Sequence, residues 1–199
     1  MSDDGPSPGP RQHAHVTALD VEVLRHGGAW DDTNVSDATV ELAVHAALAV
    51  APPSKAAHYE VTVVLTDDAE IGGLNRTWRG KDRPTNVLSF PAGDVPAATG
   101  LAGDPDFNGA PVPLGDIVIA FETTRAEAGE KPIPLSDHLS HLVVHGTLHL
   151  LGFDHLNDEE AEDMESLERK ALASLGIADP YATDGMPQSD DEAGLAEIA

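Results

Sequence analysis

The alternation of apolar and polar residues sets out a succession of short elements. His15 to Leu24 reads as a first strand. Ser36 stands where a helix begins, and Val40, Val44 and Leu48 recur every four residues until Pro52 and Pro53 stop it. Tyr59, Val61, Val63 and Leu65 alternate with polar Glu60, Thr62 and Thr66, the period of a strand with one face in the core. Thr66 is placed to cap a second helix, with Asp67, Asp68 and Glu70 in its first turn, where negative charge suits the helix dipole. Ile71, Leu74 and Trp78 mark its buried face and Gly80 its end.

Val87 to Phe90 and Ile117 to Ala120 are two further short β-type runs. Between them, Ala92 to Pro113 is rich in Gly, Pro and Ala and long enough to be a functional loop or an insertion. Phe121 to Gly129 reads as a third helix, broken by the prolines at 132 and 134. Ser136 then caps a helix to about Leu151, which Gly152 terminates in a left-handed conformation. A last helix starts at Asn157, with Glu160 as capping-box partner, Arg169 and Lys170 in its final turn and Gly176 to close it. Strands mixed with helices, followed by helices alone, predict an α+β fold with one small sheet.

A length of 199 residues accommodates one such domain. We expect a mobile segment over 1–13, the folded unit over 14–177 and an acidic, disordered tail over 178–199. Cysteine is absent, which excludes disulfides, a thiol nucleophile and thiolate-bound metal. The N-terminus lacks a secretory pattern, and Leu42 to Pro53 is far shorter than the roughly 20 residues that span a bilayer, so a cytoplasmic protein without a membrane partner is expected. A formal charge of −24 opposes generic association with nucleic acid or anionic lipid, so a polyanionic partner requires a local basic site.

The chemistry concentrates in His145-Gly146-Thr147-Leu148-His149-Leu150-Leu151-Gly152-Phe153-Asp154-His155. Positions i and i+4 of a helix sit one above the other, so His145 and His149 address one metal ion from a single face. Gly152 turns the chain back and brings His155 round as a third ligand. Three imidazoles leave a position open for water, as in catalytic zinc sites. His138 and His141 continue the stripe upstream as supporting or solvated side chains, and Asp154 reads as a turn hydrogen bond or a proton relay. The spacing is that of metzincin proteases, but Gly146 stands where their glutamate base belongs.

A second cluster is basic. Arg76, Arg79, Lys81 and Arg83 place four of the eleven Lys and Arg residues within eight positions. The helix dipole accounts for Arg76 and Arg79 but not for the loop pair, which leaves a phosphate-binding patch as the other reading.

Leu74 to Pro91 (LNRTWRGKDRPTNVLSFP), Leu114 to Ile119 (LGDIVI) and His145 to His155 together resemble the YbeY family of bacterial metal-dependent endoribonucleases. The resemblance covers roughly Val16 to Gly176. It implies a single compact zincin-like domain, a small mixed four-stranded sheet packed with about five helices. It further implies one zinc ion held by His145, His149 and His155, and Arg79 as the catalytic arginine that stabilises phosphate charge. Arg76, Lys81 and Arg83 then help to position RNA. The implied role is single-strand-specific cleavage in small-subunit rRNA maturation and ribosome quality control, with rRNA precursor and ribosomal components as partners. Asn86 stands where the family often has Asp, and Phe153 where Tyr is common. The competing readings are a metal-dependent peptidase on the same fold and a non-catalytic zinc-containing ribosome assembly factor.

Overall fold

Four strands carry the domain: β1 (Ala18–Arg25), β2 (His58–Thr66), β3 (Val87–Pro91) and β4 (Val112–Ala120). They are seen in a computed structural model that describes residues 18–53, 57–93 and 110–182. The sheet order is β1-β2-β4-β3, with β1, β2 and β4 parallel and β3 antiparallel to β4 at one edge. Five α-helices accompany it: α1 (Asp37–Val50), α2 (Asp68–Arg79), α3 (Phe121–Glu130), α4 (Leu135–Leu150) and α5 (Asp158–Ser174).

The alternation read from β2 sets the two layers. Tyr59, Val61, Val63 and Leu65, with Ile117 and Ile119 of β4, are fully buried on one face. Val40, Val44 and Leu48 of α1, Leu139, Val143 and Leu148 of α4, and Met164 and Leu172 of α5 complete this main core. The other face is thinner. Val64, Leu88, Val118 and Ala120 pack there against Ile71 and Leu74 of α2. Both faces of β4 are therefore covered, as a parallel central strand requires.

The α+β architecture matches the expectation, with boundary differences that have local causes. The first strand runs to Arg25 and is described from Ala18, so His15 to Thr17 lie outside the described residues. Of the expected tail, residues 183–199 lie outside them, as do the segment 1–13 and most of the Ala92 to Pro113 connection, whereas residues 178–182 are described and Tyr181 bonds Glu168 of α5. Thr66 does not cap α2. It ends β2, and Asp67 is the cap, its carboxylate accepting the Glu70 amide at 2.9 Å. Ser36 and Ser136 make no capping bond either; their hydroxyls pair with the Thr39 hydroxyl and the Asp137 carboxylate instead. Arg169 and Lys170 are interior to α5, which continues to Ser174. Asn157 does cap that helix, accepting the Glu160 amide at 3.0 Å.

Trp78 is the clearest departure. Expected in the core, it is 69% exposed and meets the edge of Phe90 at 6.0 Å between ring centroids. It lies in the last turn of α2 and overhangs an open groove on this face of the sheet, whose lining it shares with Thr62, Val64, Phe90 and Val118, so much of the indole meets solvent.

The helix that bears the histidines lies tight against the sheet at Gly146. A Cβ there would stand 2.8 Å from Cγ2 of Ile117 and 3.1 Å from Oγ of Ser89. The missing side chain is what lets α4 approach β3 and β4. Overpacking costs about 1–3 kcal/mol, against the roughly 1 kcal/mol by which Ala outranks Gly in a helix. Gly146→Ala should therefore lower stability by up to about 2 kcal/mol in chemical denaturation; a variant more stable than the parent would show that the contact is loose.

Candidate metal centre

Helix α4 presents His145 and His149 one turn apart, with their Nε2 atoms 3.1 Å from each other. After Leu150 the chain reverses. The Gly152 amide bonds the His149 carbonyl at 2.9 Å and the Phe153 amide bonds the Leu148 carbonyl at 3.1 Å. This closing motif needs a left-handed residue, and Gly152 supplies it at φ 84°. His155 returns with its ring 5.7 Å from that of His145 and 5.2 Å from that of His149. One nitrogen from each histidine lies within 4.8 Å of the other two. Asp154 serves the turn, accepting the His155 amide at 2.9 Å.

The outer nitrogens fix the inner ones. His149 donates from Nδ1 to the Phe153 carbonyl at 3.0 Å. Its pKa is lowered to about 4 by burial and by His145 and His155, against smaller opposing effects of the Phe153 carbonyl and Asp154. His145 directs Nδ1 at Oε1 of Glu168, 2.8 Å away. Glu168 on α5 is only 1% exposed. Burial pushes its pKa up, but hydrogen bonds from His141, His145 and Tyr181 outweigh this and hold it at about 2. A carboxylate only accepts, so His145 carries its proton on Nδ1.

With both rings neutral and their protons on Nδ1, the two Nε2 atoms are lone pairs that face each other at 3.1 Å. A divalent cation between the imidazoles turns that repulsion into coordination, and neutral imidazole is the form that ligates. The donor set thus fits a metal ion. Glu168 and the Phe153 carbonyl are the outer partners that metal-bound histidines ordinarily have. Phe153 acts through its backbone, so the departure from Tyr at that position leaves the bond in place.

The other predicted residues separate into two groups. His141 joins the centre indirectly, donating from Nε2 to Oε2 of Glu168 at 2.9 Å. His138 is buried and its Nε2 meets Glu127 at 2.8 Å, while Asn86 donates to both oxygens of Glu127. These residues border a cavity of about 340 Å³ beside His145, with Lys131 and Tyr181 also in its wall. The basic residues stand apart, on α2 and the loop after it, with α2 covering the face of the sheet opposite α4. Arg76 pairs with Asp82 at 3.2 Å. Arg79, Lys81 and Arg83 are exposed, and their side chains have no hydrogen bond or ion pair to any described residue.

Glu168, Glu127 and Tyr181 were not foreseen as site residues. A signal for Glu168 was present: it falls in the apolar stripe Ala161, Met164, Ala171 and Leu172, where a lone acid implies a buried partner. Nothing local distinguishes Glu127 from its acidic neighbours.

A mixed sheet packed against a histidine-bearing helix, with a glycine turn returning a third imidazole, defines the class: an α+β protein with a cluster of three histidines that could hold a metal ion. The family described as Endoribonuclease YbeY matches residues 29–176, and the chain belongs to that family. Endoribonuclease YbeY of Parvibaculum lavamentivorans is 49% identical over 188 residues, covering 92% of this chain and 98% of its own. That of Bradyrhizobium diazoefficiens is 53% identical over 169 residues, covering 85% of this chain and 88% of its own. No helix among the described residues is long and apolar enough to cross a membrane.

The depressed His149 pKa has a consequence for stability without metal. Above pH 6.5 the histidine is neutral in the folded and unfolded chain alike. As pH falls toward about 4, the unfolded chain takes up a proton that the folded one refuses, and stability is lost. His138, lowered chiefly by burial against the opposing pull of Glu127, acts in the same sense. The Tm of metal-free protein should fall between pH 6.5 and 4.5, and His149→Asn should flatten that fall. Equal slopes in the two proteins would refute a buried neutral His149.

Proposed function

We propose that this protein is a zinc-dependent endoribonuclease that cuts single-stranded RNA in the maturation of small-subunit rRNA. The observation that carries the reading is the pair of bare Nε2 atoms beside His155, in a chain of the YbeY endoribonuclease family. His145, His149 and His155 hold the zinc. When bound, it polarises a phosphate oxygen and makes water a stronger nucleophile near neutral pH. Glu168 and the Phe153 carbonyl keep the two helical imidazoles turned inward with their protons outward.

Arg79 is the cation we assign to catalysis. It stands at the end of α2, over the sheet face opposite α4, so an RNA strand passing the β3 edge would bring one phosphate to both the metal and this guanidinium. Among the described residues its guanidinium has no partner, which leaves its planar fork available to the non-bridging oxygens of a phosphodiester, where charge develops as the bond breaks. Lys81 and Arg83, also without a partner among the described residues, guide the RNA backbone. Arg76 contributes less, because Asp82 already holds its charge. The net charge of −24 repels RNA at long range, so delivery by the ribosome in the cytoplasm supplies what free association lacks. The catalytic unit is the folded domain over 14–177. A peptidase finds little support here, because a glutamate at position 146 would be driven into Ile117 and Ser89.

Purified zinc-loaded protein should cleave precursor small-subunit rRNA, and Arg79→Ala, prepared alongside, should be slower by about 10²-fold, the scale for losing one donor to developing charge. End-group analysis of the fragments distinguishes attack by water from attack by the 2′-hydroxyl. Equal cutting by both proteins would remove Arg79 from the mechanism. Failure of both to cut, with ribosome binding retained, would favour the assembly-factor reading.

A further inference from the structure

The metal centre does not end at its ligands, nor at the helix that supports them. Glu168 is a fully buried carboxylate with two oxygens to satisfy. Oε1 accepts from His145 at 2.8 Å. Oε2 accepts from His141 at 2.9 Å and also from the hydroxyl of Tyr181. A carboxylate turns about its bond to the stem, so the direction of Oε1 depends on what holds Oε2. With His141 alone on Oε2, the plane of the group pivots on one hydrogen bond beside a cavity. With Tyr181 added, three donors define the plane and balance a charge that water does not reach.

Tyr181 is built into this position by the chain that precedes it. Helix α5 ends at Ser174, and the Ile177 amide bonds the Leu172 carbonyl at 3.0 Å. This closing motif turns on Gly176 at φ 75°, and the chain comes back against α5. Asp179 accepts the Tyr181 amide at 2.9 Å. Arg169 ties the segment down: it pairs with Glu165 at 2.8 Å and Asp179 at 3.5 Å, and its guanidinium lies 5.0 Å from the centre of the Tyr181 ring. The phenol is thereby aimed at Glu168 from the side opposite His145. Burial, with Glu168 next in importance, raises its pKa above that of an ordinary tyrosine, so the hydroxyl stays a donor.

We infer that Tyr181 is a positioning residue of the metal centre: through Glu168 it holds His145 with its proton on Nδ1 and its Nε2 turned toward the metal. The segment Asp179 to Tyr181, beyond the domain boundary that the sequence suggests at 177, is then part of the site. This inference rests on the metal-site reading for its consequence but not for its geometry, so two readouts separate them.

The test uses the full-length chain and Tyr181→Phe, which keeps the ring on Arg169 and removes only the hydroxyl, with Glu168→Gln as a second variant. In metal-free protein, nitrogen-resolved NMR of the imidazoles should show His145 as a single Nδ1–H tautomer in wild type and as a mixture in Tyr181→Phe. In chelator competition, zinc should bind Tyr181→Phe about 10-fold more weakly, at the lower end of the range for losing an outer partner, and Glu168→Gln more weakly still. Circular dichroism should be the same for wild type and Tyr181→Phe. A Tyr181→Phe protein with the wild-type tautomer and wild-type zinc affinity would overturn the inference. If wild type itself fails to take up zinc, the metal-site reading falls, and the tautomer spectra still decide the role of Tyr181.

Discussion

Two imidazole lone pairs pointed at each other across 3.1 Å repel, and the structure around His145 and His149 keeps either ring from turning away. Each ring is pinned from behind by a different part of the chain. The pin on His149 is a backbone carbonyl three residues past its own helix, which exists there because Gly152 reverses the chain. The pin on His145 is a carboxylate from α5, which reaches it because α4 and α5 share the main core. The close approach of α4 to the sheet at Gly146 leaves the helix little room to rotate. The resulting arrangement is unfavourable alone and favourable around a cation, which is what preorganisation of a metal site means physically.

Much of this was legible in the residues. Alternation identified β2, since a strand with one buried face leaves a period of two, and the i, i+4 histidines with a glycine between the second and third identified the ligand cluster. Ser36 stands at the cap position of α1 without its side-chain bond, and Thr66 and Ser136 are not caps at all, for one reason. A hydroxyl near a helix start has several acceptors and donors within reach, and only the fold decides among them. Trp78 was misread because helical periodicity says which side of α2 faces the sheet but not how far the helix stands off it, and an open groove lies between. The stripe of α5 marks Glu168 as buried but does not name its partners, because these lie elsewhere in the chain, 23 residues away for His145 and 13 for Tyr181, and nothing local marks Tyr181.

The charges are arranged on two scales. Over the whole chain the acids dominate, yet the most deeply buried acid, Glu168, is matched by three donors and adds little to the outward field. Glu127 is likewise engaged by Asn86 and His138. Three cations without a partner among the described residues, Arg79, Lys81 and Arg83, sit together at the end of α2 and just beyond it, with α2 on the sheet face opposite the histidine helix. A phosphate chain approaching such a molecule meets a locally positive region only at close range, where contact geometry rather than net charge governs.

The position of the ligands along the chain also bears on how the protein is made. His145, His149, His155, Glu168 and Tyr181 all follow the last strand, and the sheet needs only residues up to Ala120. Synthesis runs from the N-terminus, so the polypeptide leaving the ribosome exposes its sheet-forming segments well before it possesses a complete donor set. A nascent chain halted before Glu168 has emerged would carry ligands with no anchor for His145. The cluster of histidines and its anchors is thereby completed only after every strand of the sheet has left the ribosome.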